Sequence, residues 1–252
     1  MYDLNNKNII VTGASSGLGR AVAIMASRAG ARVCLIGRNN KQLEKTNSLM
    51  KKNEHFLLST DLCDFDEYDK NFKNIVSSFG ELDGLVHFAG IHMILPLKVM
   101  KLDKLKEILD INLLAFFELI KHFSKKNNFN KSGASIIGAS SVMSLRGAPA
   151  LSGYGCSKAA LDGAVRSLAC ELAPKKIRIN SVASGFVKTP LNDKVFKTFS
   201  PEAVDKIISS HPLGIGTPED IANLVAFLLS DDARWITGST ISIDGGFSVS
   251  SQ

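Results

Sequence analysis

Short runs rich in β-branched residues alternate with longer amphipathic stretches along almost the whole chain. The runs are apolar without strict period-two alternation, which is typical of strands buried on both faces. This alternation predicts a parallel sheet with helices on both faces, and no linker-like composition divides the chain. We therefore predict a single doubly wound α/β domain over 1–252, with a mostly parallel seven-stranded sheet. The predicted strands are 8–12, 32–36, 55–60, 84–88, 134–140, 177–182 and 240–244, and the predicted helices are 18–29, 41–51, 65–79, 102–123, 155–172 and 218–230.

The composition is that of a globular protein with an excess of basic residues. Of 252 residues, 45% are hydrophobic and 21% are charged, which supplies enough apolar side chain for a core and excludes disorder. The formal net charge is +6, but the lysines and arginines are scattered. We interpret most of them as solvated surface charge, with attraction to an acidic ligand or protein as the alternative and no nucleic-acid partner.

Cysteine usage and the first residues predict a cytoplasmic location. The four cysteines form no CxxC pair and are too few for a disulfide framework, which favours a reducing compartment. The N-terminus lacks the basic-then-apolar pattern of a signal peptide. The uncharged stretch 84–97 is shorter than the ~20 residues that a membrane span needs, so we expect no membrane contact.

The first predicted strand runs directly into a glycine-rich turn that opens the first predicted helix. The turn reads TGASSGLG over residues 12–19, with glycines spaced Gly-x3-Gly-x-Gly. Glycines let the backbone approach a pyrophosphate, and a helix N-terminus offers free N–H groups with partial positive charge. Chain reversal alone would also use glycines, but the position between a strand and a helix favours a nucleotide site.

Residues 186–216 break the alternation of strands and helices. The segment carries three prolines and isolated aromatic residues such as Phe196 and Phe199. Long loops in compact domains are usually functional or mobile. We interpret the segment as a substrate lid, with a surface excursion that has no role as the alternative.

A series of short motifs follows the glycine-rich turn and covers nearly the whole chain. The motifs are Asp61-Leu62, Ala89-Gly90, Asn112, Ser140-Ser141, Tyr154-x3-Lys158, Asn180-Ser181-Val182, Thr189-Pro190 and Asp244-Gly245-Gly246. Together with the turn, this series resembles that of the short-chain dehydrogenase/reductase family, which implies a Rossmann-type fold. Residues 216–222 and 236–238 resemble the 3-oxoacyl-[acyl-carrier-protein] reductase branch, although relatives with other substrates share that ending.

The resemblance assigns proton transfer to a tyrosine and a lysine. Hydride reduction of a carbonyl needs an acid at the nascent alkoxide, and a phenol with a pKa of about 10 serves near neutral pH only if its anion is stabilised. Tyr154 and Lys158 are four residues apart in a predicted helix and therefore lie on one face. The resemblance implies that Tyr154 is the acid/base and that Lys158 lowers its pKa and binds the ribose. It also implies that Ser141 hydrogen-bonds the carbonyl oxygen.

Asn112 is the fourth catalytic candidate and lies inside the apolar run 108–117. A buried amide must find partners or cost stability, and neighbouring backbone could supply them. The resemblance instead implies that Asn112 holds a water that connects Lys158 to solvent in a proton relay. We favour the relay.

The end of the second strand bears on the choice of cofactor. NAD-preferring relatives carry an acidic residue where Gly37 stands, whereas Arg38 can pair with a 2′-phosphate. We predict NADP(H), with a solvated Arg38 and use of NAD(H) as the alternative. Asp61 either contacts adenine or caps the following helix. The candidate cofactor-binding residues are Gly13, Ser15, Ser16, Gly17, Leu18, Gly19, Arg38, Asp61, Leu62, Ala89, Gly90, Tyr154, Lys158, Gly185, Val187 and Thr189.

Two positions depart from the family pattern. His87-Phe88 stands where the family has Asn-Asn, which puts in doubt the asparagine contacts that steady the strand. We interpret His87 as a core histidine rather than a catalyst or ligand. Ser184 replaces the usual proline beside the nicotinamide, and we expect this change to loosen the loop that leads to Thr189.

The substrate and the assembly are the least determined features. The five histidines show no ligand spacing with cysteines or carboxylates, so we predict no metal site. Helices 102–123 and 155–172 are candidates for a subunit interface, and the family commonly builds a homotetramer or homodimer. The candidate substrate residues are Ser141, Met143, Tyr154 and Phe186, with Phe196 and Phe199 as further pocket walls.

Together these inferences predict a cytoplasmic NADPH-dependent reductase that converts a small-molecule carbonyl, foremost a 3-oxoacyl thioester, to a secondary alcohol. The alternatives are an NAD-dependent dehydrogenase of a sugar, steroid or polyol alcohol, and a dinucleotide-binding regulator without turnover. The Tyr-x3-Lys spacing argues against the enoyl reductase branch. An acyl carrier protein would need a basic docking surface, for which a solvated face is the alternative reading. The candidates are Lys125, Lys126 and Lys131, or Lys175, Lys176 and Arg178.

Overall fold

A seven-stranded, wholly parallel sheet forms the centre of the computed structural model, which describes residues 2–190, 192, 196 and 199–250. Its strand order is β3-β2-β1-β4-β5-β6-β7. The predicted doubly wound sheet is confirmed, and each strand bound lies within two residues of its prediction. The strands are β1 (Asn8–Thr12), β2 (Arg32–Gly37), β3 (Phe56–Ser59), β4 (Gly84–His87), β5 (Ala134–Ser141), β6 (Ile177–Ser184) and β7 (Thr240–Ile243).

Helices cover both faces of this sheet. The first, second and last helices pack on one face, and those between β3 and β6 pack on the other. Within the described residues, no helix is both long enough and apolar enough to cross a membrane. The helices are α1 (Gly17–Arg28), α2 (Asn40–Ser48), α3 (Tyr68–Phe79), α4 (Leu102–Leu109), α5 (Ala115–Phe123), α6 (Ser152–Leu172), α7 (Pro201–Ser209) and α8 (Pro218–Leu229).

Successive residues of β1 point into two different cores. Ile9 and Val11 are fully buried and pack with residues of α1 and α8, whereas Ile10 is fully buried against residues of α3, α5 and α6. Burial of each such side chain contributes about 1.5–3 kcal/mol. Since both faces of the strand are covered, its sequence is apolar without alternation.

The predicted helix 102–123 is interrupted in the structure. A π-helical turn, Asp110–Leu114, separates α4 from α5. Such a turn inserts a residue and shifts the backbone hydrogen bonds, so a carbonyl can turn to another partner. Here the carbonyl oxygen of Ile111 lies 3.3 Å from Nε2 of His87. The predicted helix is therefore confirmed over 102–123, with a π-helical turn at its centre, where Asn112 lies fully buried.

The segment 186–216 leaves the sheet and returns to it at the same place. The N–H of Gly216 donates to the carbonyl of Phe186 at 3.1 Å, and the N–H of Lys188 donates to the carbonyl of Gly216 at 2.9 Å. α7 lies within the segment and was not predicted; Ser200 caps it by accepting from the N–H of Ala203 at 3.3 Å. The lid interpretation also covers 191, 193–195 and 197–198, which lie outside the described residues, and it stays a prediction.

Candidate active site

A cavity of about 570 Å³ opens at the carboxyl ends of the strands. It spans the junction of β1 and β4, where the strand order reverses and where doubly wound sheets bind their ligands. All predicted catalytic and cofactor-binding residues line it except Asn112 and Lys158, which lie buried behind its wall. The lining residues from the prediction are Gly13, Ser15, Ser16, Gly17, Leu18, Gly19, Arg38, Asp61, Leu62, Ala89, Gly90, Ser141, Met143, Tyr154, Gly185, Phe186, Val187 and Thr189.

The glycine-rich turn forms a cradle that larger residues would fill. A Cβ on Gly13 would lie 2.7 Å from the backbone nitrogen of Ala89, and Gly13 has a φ of +67°. A Cβ on Gly19 would overlap the Gly13 carbonyl. α1 begins at Gly17 without an acidic residue in its first turn, so its first N–H groups face the cavity without a competing carboxylate. This cradle fits the diphosphate of a dinucleotide.

Two residues that sequence reasoning missed hold the turn in place. The Thr46 hydroxyl of α2 donates to the carbonyl of Ala14 at 2.8 Å. Nε of Arg20 donates to the Thr46 hydroxyl at 3.0 Å, and Nη2 of Arg20 donates to the Ser15 carbonyl. The sequence carries no local signal for this support, because the packing of α2 against the turn is a tertiary contact.

The β2 end of the cavity carries the positions expected to select the cofactor. The Arg38 side chain is 75% exposed, and its Nη1 lies 3.8 Å from Oδ2 of Asp61. Oδ1 of Asp61 accepts the N–H of Cys63 at 3.0 Å, so Asp61 caps this turn while also lining the cavity. A Cβ on Gly37 would lie 3.3 Å from the Leu43 side chain. A larger residue therefore fits at position 37 only if Leu43 shifts.

Tyr154 and Lys158 leave α6 on the face that meets the end of β5. Tyr154 and Ser141 line the cavity wall together, and the Ser141 side chain acts on the Tyr154 phenol. Lys158 is buried, its Nζ donates to the carbonyl of Ala139 at 2.7 Å, and Nζ lies 5.8 Å from the centroid of the Tyr154 ring. The structure therefore brings together the three residues to which the resemblance assigns proton transfer, its support and binding of the carbonyl oxygen.

Burial sets the charge states of this group. It raises the pKa of Tyr154, against which the hydrogen bond with Ser141 acts, so the phenol is protonated at neutral pH. Burial also lowers the pKa of Lys158 to about 8, against the opposing carboxylate of Asp162. The pair therefore presents a proton donor with an ammonium group behind it.

Asn112 is held by neighbours on both sides. Its Nδ2 donates to the carbonyl of Ile91 at 3.1 Å and to the Ser157 hydroxyl at 3.0 Å, while its Oδ1 accepts the N–H of Ile91 at 2.9 Å. These contacts match the alternative in which neighbouring groups satisfy the amide. A Cβ on Gly90 would lie 2.9 Å from Oδ1 of Asn112 and 3.6 Å from Nζ of Lys158, so both groups flank Gly90. The proton relay stays a prediction.

Two histidines stand near the reaction centre in different roles. His87 is buried in the core, and burial followed by the Lys158 charge lowers its pKa to about 3. His92, considered in the sequence only as a metal ligand, lines the cavity with its ring 4.6 Å from the Tyr154 ring. Burial and the Lys158 charge lower the pKa of His92, so this wall carries a neutral imidazole.

The opposite wall comes from the loop after β6. Phe186 lines the cavity, and Phe196 stacks behind it with ring centroids 5.8 Å apart, so Phe196 supports the wall rather than forming it. Phe199 is likewise absent from the lining. The N–H of Gly185 donates to the carbonyl of Ile243 at 3.1 Å, which ties this loop to β7 despite the Ser184 departure.

The proposed docking lysines precede β5 and β6, at the amino ends of the strands, whereas the cavity lies at their carboxyl ends. Lys125 pairs with Asp69 at 2.6 Å, and Lys175 donates to the carbonyl of Ser124 at 3.0 Å. The prediction of Arg178 as part of a basic docking surface was wrong. Its half-buried guanidinium donates to the carbonyls of Leu228 and Ser230 at the end of α8.

Comparisons of the chain with known proteins identify its relatives. A family model described as Enoyl-(Acyl carrier protein) reductase matches residues 13–248. The 3-oxoacyl-[acyl-carrier-protein] reductase FabG of Rickettsia felis is 38% identical over 247 residues, 98% of each chain. The protein of the same name from Staphylococcus aureus is 36% identical over 246 residues, 95% of this chain and 97% of its own.

Solved structures show the same fold at similar length. A short-chain dehydrogenase/reductase from Serratia marcescens matches with a TM-score of 0.91 at 29% identity, over 98% of this chain and 100% of that one. A structure from Brucella melitensis, named short-chain dehydrogenase/reductase and glucose/ribitol dehydrogenase, matches with a TM-score of 0.90 at 31% identity, over 98% of both chains. The chain belongs to the short-chain dehydrogenase/reductase family. It is an NAD(P)-dependent oxidoreductase whose curated relatives include 3-oxoacyl-[acyl-carrier-protein] reductases.

Proposed function

We propose that this chain, as one catalytic domain, reduces the keto group of a neutral 3-oxoacyl thioester to a secondary alcohol with NADPH. The observation that carries the proposal is that Tyr154 and Ser141 line the cavity wall together, with Nζ of the buried Lys158 5.8 Å from the centroid of the Tyr154 ring. The names of the relatives support an acyl group carried by acyl carrier protein as the substrate.

The cofactor would supply the hydride when bound, and the chain's residues would hold and orient it. The glycine cradle suits its diphosphate, and the exposed guanidinium of Arg38 suits a 2′-phosphate. Asp61, Leu62, Ala89 and Gly90 would contact the adenosine, and Tyr154 and Lys158 the nicotinamide ribose. Gly185, Val187 and Thr189 would face the carboxamide.

Tyr154 donates the proton that the reduced carbonyl oxygen needs, and Ser141 holds that oxygen by a second hydrogen bond. Burial raises the pKa of Tyr154, so the phenol is protonated before the hydride is transferred. The negative charge that then develops on the phenol is stabilised by the Lys158 ammonium, and Asn112 would hold the water that restores the proton. General acid catalysis of this kind contributes about 10²–10⁴-fold to the rate.

The walls of the cavity favour a neutral substrate over a carboxylate. Among the described lining residues, Arg38 is the cation, and it lies at the β2 end, away from Tyr154. Beside Tyr154 stands the neutral imidazole of His92, and Met143 and Phe186 add apolar side chains to the lining. A free 3-oxo acid would meet no compensating charge there, whereas a thioester needs none.

The proposal also covers the location of the enzyme, its subunit assembly and its lid. We place it in the cytoplasm as a homotetramer or homodimer, with residues 186–216 as a lid over the substrate. Leu114 and Phe117 on the turn and helix after α4 are 43% and 41% exposed, which supports a subunit interface there.

The test compares Tyr154→Phe with the matched control Tyr2→Phe, whose ring packs on Phe227 away from the cavity. Oxidation of NADPH by acetoacetyl-CoA is followed by absorbance, and NADPH binding by its fluorescence. We expect Tyr154→Phe to lose about 10²–10⁴-fold in kcat with NADPH still bound, and Tyr2→Phe to match the wild type. Full activity of Tyr154→Phe would overturn the mechanism. If the enzyme oxidises sugars or polyols with NAD and does not reduce the thioester, the substrate would be an alcohol of that class instead of a 3-oxoacyl thioester.

A further inference from the structure

One face of α6 meets the carboxyl end of β5 through three side chains spaced four residues apart. Residues at this spacing form a single stripe on a helix. The first two are the proposed catalytic pair, and the third lies one turn further from the cavity. Tyr154 faces the cavity beside Ser141, Lys158 donates to the carbonyl of Ala139 at 2.7 Å, and Asp162 accepts the Ser140 hydroxyl at 2.9 Å.

Asp162 is a carboxylate inside the protein, only 4% exposed. Its Oδ2 accepts the Ser140 hydroxyl, and its Oδ1 accepts the hydroxyl of Ser181 on β6 at 2.6 Å. Two donated hydroxyls are the bonding expected of an ionised carboxylate, which has acceptors only. Burying a charge is costly and is not needed merely to join a helix to a sheet, because apolar packing would do so. We therefore expect the charge of Asp162 to have a function.

We propose that Asp162 is a positioning residue for the reaction. It holds α6 in register on β5 and β6, and its charge keeps the Lys158 ammonium protonated behind Tyr154. The inference rests on the proposed function, since it takes Lys158 as the cation that supports the phenol.

Among the charged and titratable groups that face Lys158 in the described residues, Asp162 is the one whose charge favours the protonated ammonium. Its own helix presents Tyr154 on one side and Asp162 on the other. The strand β4 presents His87, and the loop after β4 presents His92; burial and the Lys158 charge lower the pKa of both imidazoles, so they are neutral. Burial lowers the pKa of Lys158 to about 8, and the Asp162 carboxylate opposes that shift. Without it, the pKa of Lys158 would fall further below its ordinary value.

The experiment separates the charge of Asp162 from its hydrogen bonds. Asp162→Asn removes the charge and keeps an acceptor, whereas Ser181→Ala removes the 2.6 Å hydrogen bond and keeps the charge. The titration of Lys158 is followed by NMR of lysines labelled at Cε, with Lys158→Arg to assign the resonance. The basic limb of the kcat/KM profile for NADPH-dependent reduction is measured in parallel, with unfolding midpoints as the stability control.

We expect Asp162→Asn to lower the Lys158 pKa by about one pH unit and to move the basic limb to lower pH by a similar amount. Ser181→Ala should lose stability and leave both values unchanged. Asp162→Glu, which keeps the charge, should also keep the wild-type titration. Asp162→Ser, which removes the charge with a smaller side chain, takes the place of Asp162→Asn if that variant does not fold. An unchanged Lys158 titration in Asp162→Asn, or one that moves equally in Ser181→Ala or in Asp162→Glu, overturns the inference. The NMR titration needs no turnover, so inactivity of the wild type would count against the proposed function alone.

Discussion

The hydroxyl of Thr12 lies 3.0 Å from Nδ1 of His87, and both side chains are buried where β1 and β4 end. The Thr12 hydroxyl oxygen accepts the N–H of Ala89 at 3.1 Å, and Nε2 of His87 faces the carbonyl of Ile111 at 3.3 Å. Nε2 therefore carries the proton and donates it to Ile111, while Nδ1 accepts from Thr12. A neutral imidazole thus links the glycine-rich turn to the π-helical turn that carries Asn112.

His87 should make the protein less stable in acid. Its pKa is about 3 in the folded chain and about 6.5 in the unfolded chain. Only the unfolded chain takes up the proton between these values, so stability is complete above about pH 6.5 and declines as the pH falls towards 3. At about pH 5 the loss from this group is about 2 kcal/mol. His87→Asn, which installs the family's residue type, should flatten the dependence of the unfolding free energy on pH, measured by urea titration.

The control for this prediction is Phe88→Asn, which adds the neighbouring asparagine of the family pattern and removes no imidazole. It should keep the wild-type slope. Equal slopes in wild type and His87→Asn between about pH 7 and pH 5 would show that His87 is not the group that titrates.

Arg38 should account for the choice of cofactor. A hydrogen bond to a charged group contributes about 1.5–3 kcal/mol, so Arg38→Ala should lower kcat/KM for NADPH by about 10–100-fold and leave NADH nearly unchanged. Gly37→Asp should shift preference towards NADH, provided that Leu43, 3.3 Å from the new Cβ, moves aside. Lys41→Ala removes a nearby exposed cation on α2 and serves as the control. A wild type that prefers NADH would contradict the cofactor assignment.

His211 should anchor the Phe186 end of the proposed substrate lid. Its Nε2 accepts the N–H of Phe186 at 3.2 Å, and its Nδ1 donates to the carbonyl of Ile207 on α7 at 2.7 Å. His211→Ala frees the Phe186 loop and should raise KM for acetoacetyl-CoA by about 2–10-fold while NADPH affinity stays close to wild type. Steady-state kinetics and NADPH fluorescence measure the two effects. Ser209→Ala, on the same helix, is the control, and a KM that does not rise would remove the lid role of His211.

Phe117 should lie in the subunit interface. It is 41% exposed on α5, and a charge placed in an apolar interface is costly. Phe117→Asp should therefore sediment as a smaller species than the wild type in analytical ultracentrifugation. Leu49→Asp changes a side chain of similar exposure at the end of α2 and should leave the assembly intact. Identical sedimentation of Phe117→Asp and wild type would place the interface elsewhere.

The sequence by itself determined the features that depend on neighbours along the chain. Buried apolar runs alternating with helices define the parallel sheet, and the glycines at 13 and 19 mark a turn where a side chain would collide. The spacing of Tyr154 and Lys158 puts both on one face of a helix whatever the rest of the chain does. These inferences need only the periods of strand and helix.

The tertiary structure alone decided what those residues meet. The support of the glycine turn by Arg20 and Thr46, the π-helical turn and the buried bonds of Asp162 all join segments that the sheet topology brings together. Ser140 and Ser181 lie 22 and 19 residues from Asp162 in the chain, on two different strands. A local pattern carries no information on such partners, because they become neighbours only when β5, β6 and α6 pack, and the pKa values that govern proton transfer follow from that burial.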